Sequence, residues 1–187
     1  MRIALLSDTH IPTGLARLPD ELLEQLRGVG AILHAGDLVS LGVLDRLSAI
    51  APTTAVFGNM DPLEVAAKLN DREILRLGGQ TIGLKHGHQH PALQSQYIGL
   101  DYAAPEFEVF YQAMAEQLPG AEVIVFGHFH QATVKEWNGR LFINPGAVAP
   151  SHGRSSFALL ELGNRVEVKI VPLKRTSGSE EATERVE

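Results

Sequence analysis

Residues 2–10 read Arg2-Ile3-Ala4-Leu5-Leu6-Ser7-Asp8-Thr9-His10. The segment Arg2–Ser7 is a short apolar run without the alternation of a strand that is wet on one face. It predicts a strand buried on both sides, as in a parallel sheet. It delivers the chain directly to Asp8 and His10. Two further runs of this kind follow, Ala31–Ala35 (AILHA) and Thr53–Phe57 (TTAVF). Between them lie helical patterns. Pro19–Gly28 places Leu22, Leu23 and Leu26 at helical spacing and stops at glycine. Ser40 can cap a helix whose apolar residues include Leu44 and Leu47. Asp61-Pro62-Leu63-Glu64 spells another helix start, with Asp at the N-cap, Pro at the first position and Glu at the third. The helix is predicted to run to about Leu69. Strand alternating with helix predicts a parallel sheet with helical crossovers.

Farther along, the pattern shifts toward hairpins. Glu73–Leu77 and Gln80–Lys85 flank Gly78-Gly79, and Thr133–Trp137 and Arg140–Ile143 flank Asn138-Gly139. Both pairs are signals for tight turns with left-handed backbone. Ser156–Leu162 and Arg165–Pro172 flank Gly163-Asn164, a similar signal. Pro105–Leu118 predicts a helix, and Glu122–Phe126 (EVIVF) a buried strand. Trp137 and Phe142 read as sheet packing, and His34, inside a buried strand, as a core hydrogen-bonding residue. Tyr97, Asp101 and Tyr102 fall in a loop before the Pro105 helix and read as structural; loop position alone would let them border a substrate pocket.

The totals narrow the chemistry. A chain of 187 residues suits one domain with a hydrophobic core, here residues 1–174. Residues 175–187 are polar and charged, which predicts a disordered tail. The formal net charge of −6 repels phosphate backbones and disfavours long nucleic acids as partners. With no cysteine, thiol nucleophiles and Cys-type zinc sites are excluded, and a reducing compartment is favoured. No run is long and apolar enough for a membrane span. The first residues do not resemble a secretory signal, so a cytoplasmic location is expected.

Five predicted strand ends carry the chemistry: Asp8-Thr9-His10, Gly36-Asp37, Gly58-Asn59, His86-Gly87-His88 and Gly127-His128-Phe129-His130. Parallel strands deliver their C-terminal ends to one edge, where sites form. A lone Gly-Asp or Gly-Asn is ordinarily a turn, and a lone His a surface residue. Turn chemistry gives no reason for His at three of the five ends. The donors are oxygen and imidazole nitrogen without sulfur, which favours Mn, Fe, Zn, Co or Ni over Ca or Mg.

Together these blocks closely resemble the calcineurin-like metallophosphoesterase family, whose pattern is Asp-x-His, Gly-Asp, Gly-Asn, a lone His and Gly-His-x-His in that order. The resemblance spans residues 1 to about 173. It is nearest to the small bacterial and archaeal phosphodiesterase branch, which also resembles the metal-site-like subunit of the eukaryotic retromer coat. It implies an α/β fold of two mixed β-sheets packed face to face with helices outside, a four-layer αββα sandwich. It also implies two divalent transition-metal ions, Mn first, with Fe, Ni, Co or Zn as alternatives. Asp8, His10 and His130 would hold one ion, Asn59, His86 and His128 the other, and Asp37 would bridge them. The activity implied is hydrolysis of small phosphate diesters by attack of a bridging hydroxide, in a homodimer or homotetramer. The alternatives are a protein-binding scaffold with a relic metal site, a phosphomonoesterase and a nuclease for short substrates.

The chain departs from that pattern at one block. Many family members read Gly-Asn-His-Glu there, and this His is thought to protonate the leaving group or bind phosphate. Here the block is Gly58-Asn59-Met60-Asp61, and a thioether has no proton to donate. Met60 is expected to fill space and Asp61 to cap the following helix. His88, two residues beyond His86, is the candidate catalytic substitute. His90 and His152 are assigned no role. Asn144-Pro145-Gly146-Ala147, where relatives often end in Ser, reads as a tight turn beneath the site. Without the acid, aryl phosphodiesters should react far faster than alkyl ones, by up to the 10²–10⁴-fold that a general acid typically contributes. Single-turnover rates on matched aryl and alkyl esters test this, and similar chemical-step rates would refute it.

Overall fold

Every side chain from Ile3 to Leu6 is fully buried, and the two faces of this strand enter two different cores. The computed structural model describes residues 1–90, 96–97 and 99–174. In chain order the elements are β1 (Arg2–Leu6), α1 (Asp20–Gln25), β2 (Ala31–His34), α2 (Leu41–Ser48), β3 (Thr53–Ala55), α3 (Leu63–Ala66), β4 (Arg72–Leu77), β5 (Gln80–Lys85), α4 (Glu106–Gln117), β6 (Val123–Val125), β7 (Thr133–Trp137), β8 (Arg140–Asn144), β9 (Ser156–Leu162) and β10 (Val166–Pro172). They form two five-stranded mixed sheets, ordered β10-β9-β1-β2-β3 and β4-β5-β6-β8-β7. The expected tail, residues 175–187, lies outside the described residues.

The alternation of side chains along β1 defines the layers. Ile3 and Leu5 point into a core shared with Ile82 and Leu84 of β5, Val123 and Val125 of β6, and Leu160 of β9. That core lies between the sheets. Ala4 and Leu6 point the other way, against Leu22 and Leu26 from the α1 region and Val43 and Leu47 of α2. On the far side of the second sheet, Phe107, Phe110, Tyr111 and Met114 of α4 cover Ile124, Phe126 and Phe142. Their i, i+3, i+4, i+7 spacing is the apolar stripe that a helix needs to lie on a sheet. The result is the expected helix–sheet–sheet–helix arrangement. Trp137 and Phe142 take part in this packing, as the sequence implies.

β1, β2 and β3 are parallel, pairing Leu6 with His34 and His34 with Ala55. β5, β6 and β8 are parallel as well. Ser40 caps α2 as expected, its Oγ accepting from the Gly42 amide at 3.2 Å. Asn138 and Gly139 both have positive φ, 46° and 74°, which suits a two-residue type I′ turn. Gly163-Asn164 differs: the turn pairs Leu162 with Val166, three residues lie between, and neither Gly163 nor Asn164 is left-handed.

α3 departs most from the reading of the sequence. It ends at Ala66 rather than near Leu69, because the chain must return to the first sheet, where Val56 bridges Asn70 and the Phe57 amide donates to the Asn70 carbonyl. No helix of the described residues is long and apolar enough to cross a membrane.

Candidate metal centre

The five strand ends converge. Backbone bonds fasten the loops to one another: Asp8 N to Gly36 O (3.0 Å), His10 N to Asp37 O (3.0 Å) and Gly127 N to His86 O (2.9 Å). Five of the seven predicted ligands, Asp8, His10, Asp37, His128 and His130, have left-handed backbone, with φ between 45° and 71°. Residues other than glycine rarely adopt it, and such strain persists only where surrounding structure enforces it, typically at functional sites. Two glycines let the ligands approach. A Cβ on Gly58 would lie 2.1 Å from Asp37 Oδ1, and one on Gly127 would lie 2.7 Å from Asp8 Oδ2.

Donor atoms of Asp8, His10 and His130 lie within 4.8 Å of one another, as do those of Asp8, Asp37 and His86. Asp8 Oδ1 faces His130 Nε2 at 3.3 Å, His10 Nε2 at 3.8 Å and His86 Nε2 at 4.0 Å. Asp37 Oδ2 faces His86 Nε2 at 3.3 Å and His10 Nε2 at 3.8 Å, so it reaches toward both groups. Asn59 joins through its Oδ1, 3.1 Å from His86 Nε2. His128 lies beside His86, with ring centroids 5.2 Å apart, outside the two tightest groups. His86 Nδ1 is 2.6 Å from the Ala35 carbonyl. Donation there leaves Nε2 as the atom that faces the cluster, the usual way a protein fixes the tautomer of a ligating His.

The two buried carboxylates and the imidazoles around them are electrostatically coupled. Asp8 is fully buried and Asp37 nearly so. Burial alone pushes both carboxyls up, but His130 and His86 outweigh it at Asp8 and hold it at about 2. At Asp37 the contact with His86 similarly wins and holds the carboxyl below its ordinary value. His86 is pushed down by burial and, more strongly, up by Asp37 and Asp8; His130 is pushed up by Asp8. The two carboxylates thus favour the protonated form of both rings. Burial holds His128 down at about 4 and lowers His88. Asp8 Oδ1, His88 Nδ1 and His128 Nε2 are buried and have no hydrogen-bond partner among the described residues. Orphaned acceptors beside ionised carboxylates, in a donor set of oxygen and imidazole nitrogen, fit divalent transition metals. Asn59 is exposed and His10, His128 and His130 are half-buried, so the cluster has a closed floor and an open face.

Two residues near the site do something other than expected. Asp61 does not cap α3: Pro62 occupies the N-cap and makes no side-chain bond. The Asp61 carboxylate instead accepts from the amides of Asp37 (2.9 Å), Val39 (2.6 Å) and Gly58 (2.8 Å). It ties the loop carrying Asp37 to the loop carrying Asn59. Met60 does not fill space; its side chain is 59% exposed at the rim, while its amide donates to Asp37 Oδ1 at 2.8 Å.

Tyr97 and Tyr102 do not border an open pocket. Both are buried among Phe107, Phe110 and Phe129, because the loop folds onto α4. Asp101 caps its own turn through the Ala103 amide. Asn144 does more than turn the chain. Buried, it donates to Tyr102 Oη and the Gly127 carbonyl and accepts from the Gly146 amide, bracing the turn that presents His128. His34 is a core residue as expected. Its Nδ1 accepts from Gly36 N, and its Nε2 lies 3.3 Å from Thr9 Oγ1. His152 lies on an exposed turn.

Residues 1–165 match the model of the calcineurin-like phosphoesterase superfamily domain, and the chain belongs to that family. It is 30% identical, over 91% of its length and 92% of the relative's, to a protein of Methanothermobacter thermautotrophicus named "Probable metallophosphoesterase". It is 25% identical to a phosphodiesterase of Methanocaldococcus jannaschii, over 78% of this chain and 83% of that one. Among solved structures it is similar to wild-type Vps29 of Entamoeba histolytica complexed with Zn²⁺, with 26% identity, a TM-score of 0.65, and coverage of 92% of this chain and 99% of that one.

Two outcomes follow from the geometry. Asp61→Ala should destabilise the protein by about 2–3 kcal/mol, since three amides lose a charged acceptor, and Asp61→Asn by less; urea denaturation measures both. His34 is held at about 4, chiefly by burial, against an ordinary value of 6.5. The unfolded chain therefore binds the extra proton between these values, so His34's contribution is complete above pH 6.5 and declines as pH falls toward 4. The decline amounts to roughly 3 kcal/mol. In metal-free protein, His34→Gln should flatten the stability–pH slope across that window.

Proposed function

We propose that this protein is a metal-dependent phosphodiesterase acting on small phosphate diesters through a two-ion centre. The observation that carries the reading is the cluster itself: Asp8 Oδ1 and His128 Nε2, buried without a hydrogen-bond partner among the described residues, in a group of carboxylates and imidazoles whose donor atoms converge. Asp8, His10 and His130 hold one divalent ion. Asn59, His86 and His128 hold the other, with Asp37 between them. Manganese is the first choice, with Fe, Ni, Co and Zn as alternatives. Bound there, the two ions supply Lewis-acid polarisation of phosphoryl oxygens and a water of lowered pKa.

The chain's own residues organise the rest. The Ala35 carbonyl keeps His86 Nε2 directed into the cluster, and Asp61 keeps the loops of Asp37 and Asn59 in register. Asn59 is a neutral ligand and leaves more positive charge for an anionic substrate. His88 lies beside His86 and His128, with centroids 5.6 and 6.3 Å away. It is the side chain assigned to the phosphoryl or leaving-group oxygen. Met60 can protonate neither. A diester suits this site better than a monoester, and the M. jannaschii relative is named a phosphodiesterase.

The test is removal of metal, reconstitution with Mn²⁺ and turnover of bis(p-nitrophenyl) phosphate by wild type, Asp37→Ala and His88→Ala. Wild type should be active. Asp37→Ala should fall by more than the roughly 100-fold seen for residues that only support a ligand. His88→Ala should lose roughly 100-fold in kcat/KM, as for removal of one oxyanion donor; an unchanged value removes His88 from the mechanism. If wild type is inactive with Mn²⁺ and with Fe, Ni, Co and Zn, the scaffold reading replaces this one.

A further inference from the structure

A cavity of about 760 Å³ opens beside the metal centre, with His130 in its wall. His130 is 32% exposed, and it belongs both to the candidate ligand set and to the cavity wall. Phe129, Ala147 and Leu173 give the cavity apolar lining, and His152 and Arg154 add polar groups. The volume falls in the range, roughly 300–1,000 Å³, of sites that bind small organic molecules.

The segment bearing the polar groups is built rather than loose. Ser151 N donates to Arg154 O at 2.8 Å, and Arg154 N donates to Ser151 O at 2.9 Å. His152 and Gly153 between them both have positive φ, 48° and 75°, the type I′ signature. Ser155 Oγ donates to the Val148 carbonyl at 2.6 Å. The Val148 and Ala149 amides in turn donate to the carbonyls of Ser7 and Asp8, each at 3.0 Å. A short chain of hydrogen bonds therefore sets the turn relative to Asp8. Among the described residues, the Arg154 guanidinium has neither a hydrogen-bond nor an ion-pair partner, in a protein whose net charge is −6. A second cavity, of about 530 Å³, carries Glu122 and Glu136 and none of the candidate ligands.

We propose that the cavity beside His130 receives the organic substituent of the diester, and that Arg154, with His152 next to it, pairs with a second anionic group on that substituent. The inference rests on the diesterase reading above. A guanidinium fork suits a carboxylate or a phosphate, which it can bind through two parallel hydrogen bonds.

Three esters with the same leaving group test it: p-nitrophenyl butyl phosphate, p-nitrophenyl 3-carboxypropyl phosphate and p-nitrophenyl 3-phosphonopropyl phosphate. Wild type should favour the two anionic tails over butyl by about tenfold or more in kcat/KM, mainly through KM, since one charge-assisted pair contributes on that scale. The stronger preference of the two names the group. Arg154→Ala should bring the ratio close to one, and Arg154→Lys should restore part of it. An equal preference in wild type and Arg154→Ala overturns the proposal. An equal loss on all three esters makes Arg154 a structural residue and overturns it as well. Turnover of bis(p-nitrophenyl) phosphate without tail preference removes this subsite alone, whereas absence of that turnover removes the diesterase reading and the subsite with it.

Discussion

Two carboxylates, Asp8 and Asp37, sit almost entirely out of water with oxygens facing the same imidazole nitrogens. Burying one uncompensated charge is expensive, and two of like sign in one place are more so. The fold around them works as a compensation. Asp8 and Asp37 raise the His86 and His130 rings above their ordinary pKa, which favours the positive form beside the carboxylates. The same nitrogens are the candidate ligands, so a metal bound there would compete with protons for one set of atoms. Left-handed backbone at five of the ligands places the donors around one volume, and the packed sandwich keeps that backbone from relaxing.

That packing explains why a site drawn from residues as distant as 8 and 130 can be rigid. The ligands leave the C-terminal ends of parallel strands from two different sheets, and the two sheets share a single apolar core. The bond from Gly127 N to the His86 carbonyl and that from His128 N to Asp8 Oδ2 join one sheet's loops to each other and to the other sheet's. Asp61 and Asn144 perform the same task with side chains, each satisfying several polar groups at once.

The candidate ligands stood out because each lies within a few residues of the end of an apolar run, and runs such as Ile3–Leu6 can be recognised from local composition. The parallel order of the first three strands was legible because those runs alternate with helical patterns. That two sheets would face each other came from the family resemblance, since an apolar run says that a strand is buried but not which neighbours bury it. Asp61 was misread for a physical reason. Its local sequence is a good cap, but the amides that claim it at Asp37 and Val39 lie 24 and 22 residues away, and no local pattern carries that information. Met60 was misread because hydrophobicity suggests burial, whereas the loop geometry turns it to solvent. Tyr97 and Tyr102 depend on a fold-back of their loop onto α4, and Asn144 on a turn at Gly127; both are tertiary facts.

The pairing of β1 has a consequence for how the chain is made. β1 lies between β2, which ends at residue 34, and β9, which begins at residue 156. During synthesis the strand that leads to Asp8 therefore gains one neighbour early and waits for the other until most of the chain has been translated. Until then one edge of β1 is unpaired, an open template of the kind that promotes association between nascent chains. A ribosome-bound chain ending before residue 156 therefore carries every candidate ligand yet lacks the strand that pairs with the free edge of β1.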